Sequence, residues 1–207
     1  MNASFLKRLR LLLVIVGVSA VVLIGKYVGN RHELTSSGGL PVSGGEQMET
    51  RISVPLFKQN DPAWGDQKLG TTDFSMASTG CTVSALAMVI ASKGIQIDPA
   101  LLNKELTRHK AFTKEGLLIW SGVKAVTNNQ FAAYLEDKPT HKLIDKQLSQ
   151  GNPVIAKVLC GDQVWHWVLI TGKAGKDYLI HDPLFSGGEY ERMTSYSSGI
   201  YAIRYIQ

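Results

Sequence analysis

Cysteine is scarce in this chain: 207 residues contain only Cys81 and Cys160. A single pair cannot supply a disulfide framework, so the protein must fold on a hydrophobic core. The 44% apolar content is enough for one, which excludes disorder throughout. An excess of one charge is lacking as well. The net charge is +5, yet residues 1–53 hold six Lys and Arg against three Glu, leaving 16 against 14 for the rest. A body so nearly neutral has no basic footprint for nucleic acid. No glycine-rich loop is built to hold phosphate. His109, His141 and His181 lack ligand spacing and Cys160 stands alone, so neither a metal nor another cofactor is expected. Internal repeats and low-complexity runs are missing after residue 53.

The longest uncharged apolar run lies at the start. Residues Leu11 to Gly25 carry no charge, with Lys7, Arg8 and Arg10 before them and Lys26 after. This reads as an N-terminal membrane anchor over residues 1–28, extended if Lys26 snorkels to the interface. The basic cluster on the N-terminal side predicts a single span with a cytoplasmic N-terminus and an exported body. The alternative is a signal peptide cleaved after Ala20, giving a secreted protein. The apolar run continues through Ile24, beyond where a signal peptide turns polar, and this favours the anchor. Residues 29–53 hold five glycines and several Ser and Thr. They read as a flexible linker, with the folded domain at 54–207.

Within that domain an irregular, turn-rich stretch runs to about Thr79. Helical spacing then begins at Cys81 and continues to Lys93, apolar on nearly every side, as expected for a central buried helix. Ser78 or Thr79 is the expected N-cap and Gly94 the stop. Asp98 and Pro99 open a second helix. More helix is expected within 114–135, and "HKLIDKQLSQG" is a short helix closed by Gly151. The character then changes to short β-branched and aromatic runs, "PVIAKVLC", "VWHWVLITG", "DYLIHDP" and "GIYAIRYIQ". Gly187 and Gly188 read as a hairpin turn. Helices first and antiparallel strands second define an α+β domain.

Cys81 heads the central helix, where the helix dipole stabilises a thiolate. Taken alone, a buried cysteine is more simply a small core residue. The alternation in "QVWHWVLITG" puts His166 on a face with Val164, Val168 and Ile170. A histidine on such a face needs a polar partner. Asp182 closes the next expected strand, where an antiparallel neighbour would bring its carboxylate beside His166. Thiol, base and orienting carboxylate are the parts of nucleophilic acyl transfer. The Cys81 N–H can offer one oxyanion donor and Gln59 is the candidate for a second.

The segments "VPLFKQNDPAWGDQKLG", "GCTVSALAMVIASKG", "DPALLNKEL", "GNPVIAKV", "HWVLITG" and "YLIHDP" together resemble the papain-like cysteine peptidases similar to the bacteriocin-leader (double-glycine) processing peptidases. The resemblance covers about residues 54–206. It implies a papain-like fold, with a helical lobe whose central helix carries the nucleophile and packs on an antiparallel sheet. It also implies Cys81 as nucleophile, His166 as base, Asp182 as the orienting residue and Gln59 in the oxyanion hole. The partner would be a peptide or protein substrate, the membrane would be reached through the N-terminal segment, and a monomer is expected. Two rivals stand beside hydrolysis: an acyl transferase or amidase using the same triad, and a silent binding module in which Cys81 bridges Cys160. The pairs in "SSGG" and "VSGG" also raise self-release from the membrane at a double glycine.

Overall fold

In the computed structural model the described residues are 38–160, 164–184, 191–196 and 198–207. The anchor expected at 1–28, the first part of the linker and the turn expected at Gly187 and Gly188 lie outside them. Among the described residues no helix is long and apolar enough to cross a membrane.

The fold is α+β. Its strands are β1 (Ser43–Arg51), β2 (Ala133–Glu136), β3 (Val154–Cys160), β4 (Val164–His181), β5 (Glu191–Arg192) and β6 (Ala202–Ile206). The helices are α1 (Met76–Thr79), α2 (Cys81–Ser92), α3 (Pro99–Arg108), α4 (Gly122–Val126) and α5 (His141–Ser149). The sheet order is β1-β4-β3-β6-β2, with β5 also on β4, and every pairing is antiparallel.

β3 is buried along nearly its whole length because both sheet faces are covered, so it reads as a continuous apolar run. Its period of two still sorts the side chains. Ile155 joins Leu169 and the α2 residues Leu86, Val89 and Ile90 in one core cluster. Val154, Ala156 and Val158 join Val168, Ile170 and the α5 residues Ile144 and Leu148 in the other. Each fully buried Leu or Ile contributes about 1.5–3 kcal/mol relative to leaving it exposed. α2 is therefore fixed to one face of the sheet along its length, and that fixes where Cys81 sits.

Several local expectations change. Residues 43–51 were expected in the flexible linker, but they form β1 and pair with β4 through Met48–Arg51 against Gly172–Gly175. The compact unit accordingly begins at Gly39, ahead of the boundary expected at 54. The glycines read as linker composition have a structural cause. Gly44 and Gly45 sit at φ 152° and 70°, and a methyl on either would overlap His141 or Asp145. The Glu46 N–H next to them donates to Asp145 Oδ2 at 2.8 Å. The "VSGG" pair is thus part of a strand, which removes it as a free substrate for self-release.

Ser75, not Ser78 or Thr79, acts as an N-cap, and it serves α1, forming a reciprocal box with Ser78. Gly80 then separates α1 from α2 and brings no side-chain cap. Asp98 caps α3 with Pro99 behind it, as expected. Within 114–135 only Gly122–Val126 is helical, and Ala133 already enters β2. The strands expected from "VWHWVLITG" and "DYLIHDP" are one unbroken stretch, β4, of 18 residues. It doubles back on itself at Gly175, whose φ is 65°. Thr171 Oγ1 lies 3.5 Å from Leu179 O, whereas a straight strand would hold residues that far apart in sequence about 26 Å from each other.

Candidate active site

α2 begins at Cys81. With no side chain capping its first turn, the N–H groups there have no side-chain acceptor, and the positive end of the helix lies at the sulfur. The doubled-back β4 brings two further groups to the same place. Its first arm carries His166 and its second arm runs into Asp182, so the His166 ring Nε2 and Asp182 Oδ1 are 2.8 Å apart although 16 residues separate them in sequence. Cys81 lines the same cleft wall as His166, and the imidazole favours its thiolate form. Since Nε2 is engaged by the carboxylate, Nδ1 is the nitrogen left for sulfur. Of the four residues singled out from sequence, the structure therefore brings Cys81, His166 and Asp182 into one cluster.

Gln59, the fourth, lines the same cleft. It is 3% exposed, its Nε2 donates to Ala77 O at 2.7 Å, and its backbone N–H donates to Pro183 O at 2.8 Å. These two bonds hold the amide between the start of the central helix and the segment just after Asp182. One Nε2 hydrogen remains for another acceptor. Oε1 is buried and has no hydrogen-bond partner among the described residues.

The charges in this cluster are tuned by opposing causes. Burial pushes the Cys81 thiol up, but hydrogen bonding and Coulomb attraction to His166, helped by the Trp167 backbone, bring it below its ordinary value. Burial alone would push His166 down; the Asp182 hydrogen bond and the thiol outweigh it and raise the imidazole to about 9. Asp182 is raised by burial and lowered more by His166 and Tyr196, ending at about 2. The three form a coupled ion-pair chain with thiolate, imidazolium and carboxylate favoured together.

No local pattern in the chain points to the groups that hold Asp182. The Tyr196 hydroxyl donates to its Oδ2, the Leu184 N–H to its Oδ1 at 2.7 Å, and Lys58 Nζ to its backbone carbonyl at 2.9 Å. Tyr196 follows a short 3-10 turn, Met193–Ser195, with no periodic pattern around it. The Asp182-Pro183 step was legible; its partners come from loops.

Cys81, His166 and Gln59 all line one open cleft of about 740 Å³. Its walls are mainly apolar, with Leu69, Phe112, Trp120, Trp165, Trp167 and Leu184 prominent. Such a cleft suits an extended ligand with large side chains. Cys160 lies along the same cleft, and no disulfide joins it to Cys81, so the bridge considered from the sequence is not formed here. Among the described residues no group of His, Cys, Asp and Glu is arranged to hold a metal ion.

An α+β papain-like fold with a thiol at the head of its central helix, facing an imidazole on the sheet, defines the class of protein. The profile of the Peptidase_C39 like family matches residues 51–207, and the chain belongs to that family. A crystal structure from Bacillus anthracis, named as a C39-like peptidase, is similar with a TM-score of 0.50. It is 16% identical and covers 77% of this chain and 98% of its own; at that identity the likeness is one of fold. No curated protein matches the sequence. The family match begins at Arg51, so nearly all of β1 falls ahead of it.

Proposed function

We propose that this chain is a membrane-anchored cysteine peptidase that hydrolyses peptide bonds through Cys81, His166 and Asp182. The observation that carries the reading is the convergence of the Cys81 thiol and the His166 imidazole at the wall of an open cleft, with the buried Asp182 carboxylate 2.8 Å behind the ring. The anchor is the apolar run within residues 1–28, flanked by basic residues and followed by an exported domain.

The reaction begins from the ion pair, with His166 Nδ1 holding the proton of the Cys81 thiol. The thiolate attacks the scissile carbonyl carbon, forming a C–S bond while the carbonyl π pair moves to oxygen. That oxyanion is met by the Cys81 N–H and the remaining Nε2 hydrogen of Gln59. As the C–N bond breaks, imidazolium transfers its proton to the leaving amine. Neutral His166 then takes a proton from water; the hydroxide adds to the thioester carbonyl, and the C–S bond breaks to return the thiolate. Asp182 stays ionised and holds the ring by Nε2 throughout, as the orienting member of a triad does.

The test is labelling of the full-length chain with a thiol-reactive epoxide near neutral pH, followed by peptide mapping and assay of hydrolysis. Rapid modification of Cys81, with hydrolysis lost in step, is the expected outcome. Hydrolysis that survives complete modification of Cys81 would overturn the reading.

A further inference from the structure

The cleft wall holds a cation that the proposed chemistry leaves unused. Lys157 lies on β3, directly opposite Trp167 of β4 and Ala202 of β6. Its Nζ sits 4.1 Å from the centre of the Trp165 ring. That ring is fixed in turn by edge contact with Tyr201, 5.0 Å between centroids. Lys157, Trp165 and Trp167 all line the cleft that contains Cys81.

Among the described residues this ammonium has no ion pair. Asp137, a carboxylate near enough to act on it, is bonded to Arg204 at 2.8 Å. Arg204 is also stacked near the Trp120 and Trp167 rings, at 5.7 and 5.4 Å. Two cations thus stand behind one carboxylate, and the excess positive charge faces the cleft through Lys157. Glu115 also lines the cleft, but it is fully exposed and engaged by Thr113 and its own backbone.

A half-buried ammonium in a mainly apolar wall has given up hydration without gaining an anion. The ring of Trp165 offsets part of that loss. The remainder is available to a ligand, and the low-dielectric surroundings strengthen the attraction once water is displaced.

We propose that Lys157 is a specificity-determining residue of this site, binding a carboxylate of the peptide substrate while the surrounding rings hold its apolar side chains. The inference rests on the peptidase reading and names the substrate class for it. The carboxylate belongs to an Asp or Glu side chain or to the end of the peptide.

The test is protection of Cys81 from iodoacetamide by short apolar peptides, using the full-length chain so that binding is read without turnover. One arm places Glu or Gln at each position in turn in peptides with amidated C-termini. A second arm compares a free C-terminal carboxylate with its amide in peptides with no acidic side chain. The expected result is that one acidic form protects at about 10-fold lower concentration than its amide, the scale of a hydrogen bond to a charged group. Lys157→Met should erase that difference without slowing alkylation in the absence of peptide, and Lys157→Arg should keep it. The wild-type comparison needs no variant to fold. Equal protection by acid and amide at every position, or no protection at all, would overturn the proposal while leaving a reactive Cys81. An unchanged preference in Lys157→Met would do the same. A Cys81 that iodoacetamide does not reach overturns the peptidase reading, and this inference with it.

Discussion

Two buried polar clusters use almost the same side chains and differ in where they are placed. At the cleft, Asp182 is held by the Tyr196 hydroxyl and pairs with His166. On the other side of the sheet, Asp145 accepts from the Tyr178 hydroxyl at 3.3 Å, and that hydroxyl lies 2.9 Å from His141 Nδ1. The second carboxylate is neutralised by Lys173, fully buried, at 2.6 Å. Lys173 also donates to Glu46 O, which ties β1 to the cluster. None of those four residues lines the cleft. Carboxylate, phenol and imidazole in contact are therefore no sign of chemistry by themselves; the cluster with a thiol on the cleft differs in kind from the one whose carboxylate is paired to a lysine.

The sharpest way to break this comparison is Cys81→Ser. Hydrolysis should fall by about 10⁴-fold or more, with thermal stability unchanged; an active serine variant would place the chemistry elsewhere. Next is Lys173→Met, which strands Asp145 without its cation. Urea denaturation should show a loss of about 3–5 kcal/mol, while the alkylation rate of Cys81 stays the same. A parallel drop in alkylation would mean that the two clusters are not independent. Tyr196→Phe should lower kcat about tenfold, the scale of one hydrogen bond to a charged group, with KM held. A kcat equal to that of the parent would remove Tyr196 from the site.

The smallest effect is one of pH. Imidazolium is needed for the leaving amine, so kcat should be halved as pH rises through about 9, the raised value of His166. Cys81 alkylation should persist above that pH, because the thiolate remains. Stability responds with opposite signs at the two clusters. His166 is raised, so its contribution is complete below its ordinary 6.5 and lost as pH rises through about 9. His141 is lowered, chiefly by burial and also by Lys173, against the pull of Asp145. Its contribution is present above 6.5 and lost as pH falls through its lowered value. Chemical denaturation from pH 5 to 10 of His141→Gln against its parent separates the two.

The same contrast explains what the sequence could reveal. Cys81, His166 and Asp182 were legible because each breaks a local pattern: a thiol at a helix start, a ring on an apolar face, a carboxylate before a proline. The helix of Asp98 and Pro99 was legible because its cap and first turn are local. β1 was not, since its glycines are required by His141 and Asp145, residues about 100 positions away. The doubling of β4 was read as two strands because Gly172 and Gly175 interrupt the apolar run. Tyr196, Lys58 and the Lys173 cluster were hidden for a related reason: their partners are fixed by tertiary contact, and no periodicity points to them.

The turn of β4 at Gly175 carries a mechanical implication. Imidazole and carboxylate ride on one covalent hairpin, while sulfur belongs to a helix in the opposite layer. If the layers slide, the gap between sulfur and nitrogen changes while the ring travels already aimed. Docking of a peptide between the layers would then act on reactivity through that spacing, like a contact closing in a switch.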